Sequence, residues 1–442
     1  MVFREHTTAP RTFTPLIMVA RSLAREGSSG DSRPWNTAPI ARLGDREYDS
    51  PVGQGEPCDR GSASRATRRF CQVPTGLDLT THRPRKVCLI KPSSLGDVVH
   101  ATPILAALRS LWPDAHIAWV VNRGLKDLIQ GLPELNEVIP FDRGARGLGA
   151  ARALADLASR LRSGRFDVAI DLQGLLRSAL FGLATGASVR VGLRDAREGA
   201  PHFYTHRISP AAGATHAVDR LMAIAAAFGA KDSAPRFLVS TSPADHEWAA
   251  RQLGSIPGPR LVLNMGARWP TKRWPPASFA RVAERAHQAL GADLVLVGAP
   301  EDRPIVDEFL AQLGPIPSLD LCGKTTLPQL AAVASACDLF LTNDTGPMHL
   351  AAAAGARVVG IFTCTQPEKT GPYGPRCTVV RSGIWCAGSC VKKCSRLDCM
   401  RELEPVRVWE EVRRRLQADS EDGPRPHLFD QGHKKSAPTP TA

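Results

Sequence analysis

From residue 86 onward, short apolar runs alternate with longer stretches in which apolar residues recur at helical spacing. Residues 87–90, Val-Cys-Leu-Ile, form a continuous apolar run too short for a helix and bounded by charged residues. Such a run predicts a strand covered on both faces. Helical periodicity follows over 98–111, then a strand over 117–121, a helix over 124–131, a strand over 138–140 and a helix over 149–163. The series continues with a strand over 168–172 and a helix over 175–185. A breaker, Pro257-Gly258-Pro259, precedes a second series. Its strands are predicted over 261–264, 293–297, 319–322, 339–342 and 358–362, and its helices over 277–290, 303–313, 327–336 and 347–354. Strands alternating with helices predict parallel sheets, so the chain reads as α/β with two Rossmann-like halves joined by a linker near 230–259.

Both ends break this pattern. Residues 1–84 and 418–442 mix charge with Gly, Ser and Pro and show little periodicity, which predicts a disordered N-terminal extension and a disordered tail. At 442 residues and 43% hydrophobic content, the part between them supplies the cores of two ordinary domains. The formal charge of +13 favours an anionic partner: nucleic acid, an acidic membrane surface or a phosphorylated substrate. Much of the excess is arginine on helix-like stretches (Arg152, Arg160, Arg162, Arg165), and no RNA-binding motif with interleaved aromatics occurs, so nucleic acid is set aside. No apolar run approaches the roughly 20 residues of a spanning helix. Residues 13–20 are interrupted by proline and lack a signal-peptide cleavage pattern, which makes the cytoplasm the expected compartment.

Candidate chemistry gathers where strands end. Lys91-Pro92-Ser93-Ser94-Leu95-Gly96-Asp97-Val98-Val99-His100 follows the first strand and opens a helix, where open α/β sheets form their ligand crevice. Asp97 there is a candidate general base, although Ser and Asp are equally ordinary helix caps. Asp171-Leu172-Gln173-Gly174-Leu175-Leu176-Arg177 occupies the corresponding place after a later strand. Gln173 and Arg177 are candidates for holding a hydroxylated or anionic acceptor, with Arg190, Arg194 and Arg197 ranked below them. In the second half, Thr342-Asn343-Asp344-Thr345-Gly346-Pro347-Met348-His349 follows a strand and opens an Ala-rich helix, whose first N–H groups favour an anion. Asp344, Thr345, Gly346 and His349 suit a nucleotide diphosphate, and Lys272, in the basic loop 264–275, can neutralise leaving-group charge. Four of the eleven cysteines, Cys386, Cys390, Cys394 and Cys399, fall within fourteen residues. Their spacing is compatible with a structural zinc, an iron–sulfur cluster, disulfides or reduced thiols.

Taken together, these motifs resemble the heptosyltransferases, glycosyltransferase family 9, over about residues 86–416. The resemblance implies a GT-B fold, two Rossmann-like domains facing a central cleft. The acceptor domain would span 85–240 and the nucleotide-sugar domain 258–385, with the cysteine cluster and a last helix over 386–417. It implies transfer of heptose from ADP-heptose to a lipopolysaccharide core or lipid-linked acceptor with inversion at the anomeric carbon. Asp97 matches the family's base, Lys272 its phosphate-binding lysine, and Asp344, Thr345, Gly346 and His349 its donor loop. Ser94 and Gly96 match the turn beside the donor. No cofactor is implied for catalysis, and the anionic acceptor implies peripheral contact with the inner membrane. Ala267-Arg268 stands where the family often has a threonine pair, and the acidic residue for the ribose is either Glu301 or Asp302. The same residues would also serve a GT-B transferase with another nucleotide sugar, or a non-catalytic sugar-nucleotide or metal-binding module. A nicotinamide oxidoreductase is disfavoured because 91–96 lacks the GxGxxG fingerprint.

Overall fold

In a computed structural model, residues 78–142, 147–231 and 234–418 are described. The expectations for the tail 419–442 and for residues 1–77 of the extension lie outside them. Two six-stranded parallel sheets carry the chain. The first has the order β3-β2-β1-β4-β5-β6, with β1 Lys86–Ile90, β2 His116–Asn122, β3 Glu137–Phe141, β4 Val168–Asp171, β5 Val189–Leu193 and β6 His206–Ile208. The second has the order β12-β11-β10-β7-β8-β9, with β7 Arg260–Asn264, β8 Asp293–Val297, β9 Ser318–Asp320, β10 Leu339–Asn343, β11 Val358–Phe362 and β12 Cys377–Arg381. Counted from its own first strand, each sheet has the doubly wound Rossmann order, so two copies of one architecture make the α/β, GT-B fold.

The central strands are apolar throughout because helices cover both faces. Val87, Cys88, Leu89 and Ile90 are fully buried, as are Leu261, Val262 and Leu263. In the first half the helices are α1 Leu95–Leu111, α2 Gly147–Ser163, α3 Leu176–Ala184 and α4 Ala217–Ala227. α5 Pro243–Leu253 lies in the linker, and the second half adds α6 Pro276–Leu290, α7 Arg303–Gln312, α8 Leu327–Ala336, α9 Gly346–Ala353 and the short α10 Pro367–Thr370. α11 Asp398–Glu402 and α12 Pro405–Gln417 close the described chain. The first turns of α2, residues 147–154, fall in a separate compact unit, and the unit that holds both sheets resumes at Ala155. Among the described residues no helix is long and apolar enough to cross a membrane.

Two expectations change. The stretch 124–131 forms only a 3₁₀ turn, Arg123–Leu128, because Asn122 accepts from the Gly124 N–H and tightens the chain at its start. The predicted linker is partly helical: Ser242 caps α5 reciprocally with Asp245, whose carboxylate accepts from the Ser242 N–H and hydroxyl at 2.8 and 2.6 Å.

Each sheet has one topological switch point, between β1 and β4 in the first and between β7 and β10 in the second. The ligand crevice of an open α/β sheet therefore forms at the carboxyl ends of those four strands. These are the strands that lead into Lys91, Asp171, the loop bearing Lys272, and Asp344.

Candidate active site

β1 ends at Ile90, and the next residue, Lys91, is only 5% exposed despite its charge. Its ammonium donates to the Leu172 carbonyl at 2.9 Å and lies 3.8 Å from Asp97 Oδ1. Asp97 sits in the first turn of α1, where its Oδ2 accepts from the Ser94 N–H at 2.9 Å and the Ser94 hydroxyl at 2.6 Å. The carboxylate is thus a cap, as the bland reading holds. One oxygen remains outside that cap, and the side chain keeps 43% exposure. Burial alone would raise its pKa. The Lys91 charge, the two Ser94 bonds and the proximity of His349 outweigh burial and hold it below the ordinary carboxylate value. Asp97 is therefore ionised at neutral pH and reachable.

β4 ends at Asp171, buried and held by four donors: Tyr204 Oη at 2.7 Å, Ser178 Oγ at 2.9 Å, and the N–H groups of Gln173 and Gly174 at 2.9 and 3.0 Å. Burial still pushes its pKa up. These bonds shape the turn that presents Gln173 to a cavity of about 620 Å³ lined also by Lys91, Arg197, Arg220 and Lys369. The Gln173 Oε1 is buried without a partner. Arg177 is not among the lining residues. Arg190 is occupied structurally, donating to the carbonyls of Phe203 and Ala187.

In the second half, β7 runs into a turn, Pro270–Lys272, and β10 into α9. Lys272 Nζ lies 2.6 Å from Asp344 Oδ2, which also accepts from the Thr365 hydroxyl. Asn343 bridges the two loops, donating to the Met265 carbonyl at 2.7 Å and accepting from the Trp274 N–H. Thr345 is the N-cap of α9. Asp302 accepts from the Ala299 N–H and lies where a Gly266 side chain would be, 2.2 Å from an ideal Cβ, while Glu301 is exposed.

The helix starts from the two halves meet. A Cβ on Gly346 would come within 2.7 Å of Leu95, and one on Gly96 within 2.3 Å of the His349 ring. Glycine at both positions permits the approach. His349 in turn stacks edge-on against His100 at 4.4 Å, and His100 against His216 at 5.2 Å. Burial depresses all three; for His349 it outweighs the attraction of Asp344 and Asp97 and brings the pKa to about 4. His216 also reaches the Gly371 carbonyl at 3.1 Å, and Tyr373 donates to Asp219 at 2.6 Å. Gly96 and Asp97 of the first half are thus brought beside His349 and Gly346 of the second, whose strand end also carries the Asp344–Lys272 pair.

The cysteine segment has a visible local role. Thr271 donates to the Val391 carbonyl at 2.7 Å, the Cys390 N–H to the Cys364 carbonyl at 2.7 Å, and Gln366 to the Gly388 carbonyl at 2.9 Å. The segment braces the turn that carries Lys272. Among the described residues no group of three or more His, Cys, Asp or Glu side chains is arranged to hold a metal ion. Cys386, Cys390, Cys394 and Cys399 are free thiols; Cys399 is buried while Cys390 and Cys394 are exposed, and Cys386, Cys394 and Cys399 line one pocket with Cys364.

Lys91 and Asp171 stood in the sequence motifs without a role of their own, and Tyr204, Arg220 and His216 stood in none of them. A lysine directly after four buried apolar positions was the available signal for the first; the others depend on contacts distant in the chain.

Residues 154–400, more than half of the chain, match the sequence profile described as glycosyltransferase family 9 (heptosyltransferase). The chain is 32% identical over 320 residues to lipopolysaccharide heptosyltransferase 1 of Pseudomonas aeruginosa, covering 70% of this chain and 86% of that one. It is 27% identical to the lipopolysaccharide core heptosyltransferase OpsX of Haemophilus influenzae, over 67% of this chain and 84% of that one. Among solved structures, the Escherichia coli ADP-heptose LPS heptosyltransferase II aligns with a TM-score of 0.61 and 25% identity, over 75% of this chain and 98% of that one. A family 9 glycosyl transferase from Veillonella parvula aligns with a TM-score of 0.67 and 23% identity, over 77% and 98%, a likeness of fold.

Proposed function

The chain belongs to glycosyltransferase family 9, the heptosyltransferases, and on that premise we propose that it transfers heptose from ADP-heptose to a lipopolysaccharide core acceptor with inversion at the anomeric carbon. The observation that carries the mechanism is the meeting of an ionised, reachable carboxylate, Asp97, with the Lys272–Asp344–His349 group across one cleft. Asp97 takes the proton of the acceptor hydroxyl. The oxygen then forms a bond to the anomeric carbon as the bond from that carbon to the ADP phosphate oxygen breaks. The leaving diphosphate carries the electron pair, and Lys272 turns from Asp344 to meet it.

Orientation follows from the same contacts. The first N–H groups of α9 offer donors to the diphosphate, with Thr345 and Gly346 at the helix start. His349 is neutral at pH 7, so it contributes a hydrogen bond and leaves Lys272 as the cation nearest Asp344. The 620 Å³ cavity bordered by Gln173, Lys91, Arg197 and Lys369 is the acceptor side, cationic as an anionic core saccharide requires. The chemistry calls for no cofactor, and an acceptor made at the inner membrane places the enzyme on its cytoplasmic face.

A donor screen tests the reading. Purified protein with ADP-heptose and a core acceptor is expected to give an acceptor one heptose heavier, together with ADP, by mass spectrometry. Product only from a UDP-sugar would reject ADP-heptose as the donor.

A further inference from the structure

Between β12 and α11 the chain forms a loop that the transfer chemistry does not use. Every residue from Ser389 to Arg396 is exposed, and Trp385 is 88% exposed. Val391 is 46% exposed; with Val406 these are the exposed large hydrophobics among the described residues. All charged residues of the loop are cationic: Lys392, Lys393 and Arg396. The neighbouring acids are already engaged. Asp398 pairs with Arg396 and Arg401, Glu402 with Arg407, and Glu368 with Arg381. What remains exposed to solvent is the Trp385 indole, Val391 and Lys393, with Lys392 drawn over the Trp269 ring at 5.2 Å.

We propose that this loop docks the enzyme on an anionic phospholipid bilayer, with Trp385 and Val391 entering the headgroup layer and Lys393 meeting lipid phosphates. An indole is at its best where one side is apolar and the other wet, and nearby lysines add attraction to negative lipid. The loop is also held firmly. The bonds from Thr271, Gln366 and the Cys390 N–H fix it to the turn of Lys272 and the strand end at Cys364. Its exposed residues therefore sit on a braced base next to the turn that carries Lys272. On the reading of the acceptor given above, docking here brings the cleft to the surface in which that acceptor is anchored.

Vesicle flotation of the full chain tests this. Wild type is expected to float with vesicles of phosphatidylglycerol and phosphatidylcholine, more weakly as salt rises, and not with phosphatidylcholine alone. Trp385→Ala combined with Lys393→Glu should reduce the floated fraction by roughly tenfold. ADP affinity and transfer to a delipidated, soluble core acceptor should stay unchanged. Equal flotation of variant and wild type, or absence of wild-type flotation, overturns the proposal. So does a raised KM for the soluble acceptor, which would assign the loop to the saccharide, or a wild-type dimer that the variant dissolves. Flotation does not require turnover, so failure of the donor assignment would leave this result standing.

Discussion

The carboxylate of Asp97 must be ionised, aimed and reachable at once, and its neighbours divide those tasks. Ser94 occupies Oδ2 with two bonds, and Lys91 faces Oδ1 from 3.8 Å. The other charged or titratable groups that bear on this pair are Asp171 and Arg197 around Lys91 and His349 across the cleft. Replacing Lys91 with methionine removes the cation that lowers the Asp97 pKa, so the acid limb of the kcat/KM profile should move to higher pH, while Lys91→Arg should keep it low. An acid limb unchanged in Lys91→Met would separate the two residues. The histidines set a second pH dependence. His349 titrates at about 4 in the fold against an ordinary 6.5, so both states are neutral above 6.5 and the full contribution to stability is present there. Below 6.5 the unfolded chain takes the proton first, and stability is lost as pH falls toward 4. Thermal melts over that range should show the loss, and His349→Gln should flatten it. At Lys272, alanine should lower kcat by about 10²-fold, read in steady-state kinetics, because the leaving diphosphate loses its charge partner.

At the level of elements, the contact that makes the site is the approach of α1 to α9. Gly96→Ala puts a methyl into the His349 ring, and the overpacking should cost about 1–3 kcal/mol in denaturant unfolding, with transfer lost as the helices part. Tyr204→Phe removes one of four donors from the buried Asp171; the expected loss is about 1 kcal/mol, with a higher KM for acceptor from a loosened Gln173 turn. Much of this level was legible in the chain. Strands such as β1 and β8 announce themselves because burial on both faces requires four apolar residues in a row. The edge strand β6, His206–Ile208, was not legible: at three residues, with partly exposed positions, it has no pattern to read. The 3₁₀ turn at Arg123–Leu128 shares its apolar spacing with a helix, and only its Asn122 cap distinguishes it. Spacing in sequence says nothing of which thiols face the core, as Cys399 does, or of the approach of Cys364 from another strand end.

The whole molecule repeats one solution twice, two doubly wound sheets with their switch points turned to a common cleft. Periodicity and spacing placed Asp97 and His349 only at two strand ends; that they face each other was an implication of the family resemblance, because the contact depends on how the halves pack. The bond from His216 to Gly371 spans 155 residues and that from Tyr373 to Asp219 spans 154. Partners that far apart leave no local signature; they are chosen by the way the halves pack, with Lys272, Asp344 and His349 carried by one half and Asp97 by the other. Asp97→Asn tests that arrangement most directly, since it keeps the Ser94 cap and the fold while removing the base. In a mass-spectrometric assay with ADP-heptose and core acceptor, the variant should lose transfer by about 10²- to 10⁴-fold and still bind ADP as wild type does by calorimetry. Wild-type turnover in Asp97→Asn would contradict the account.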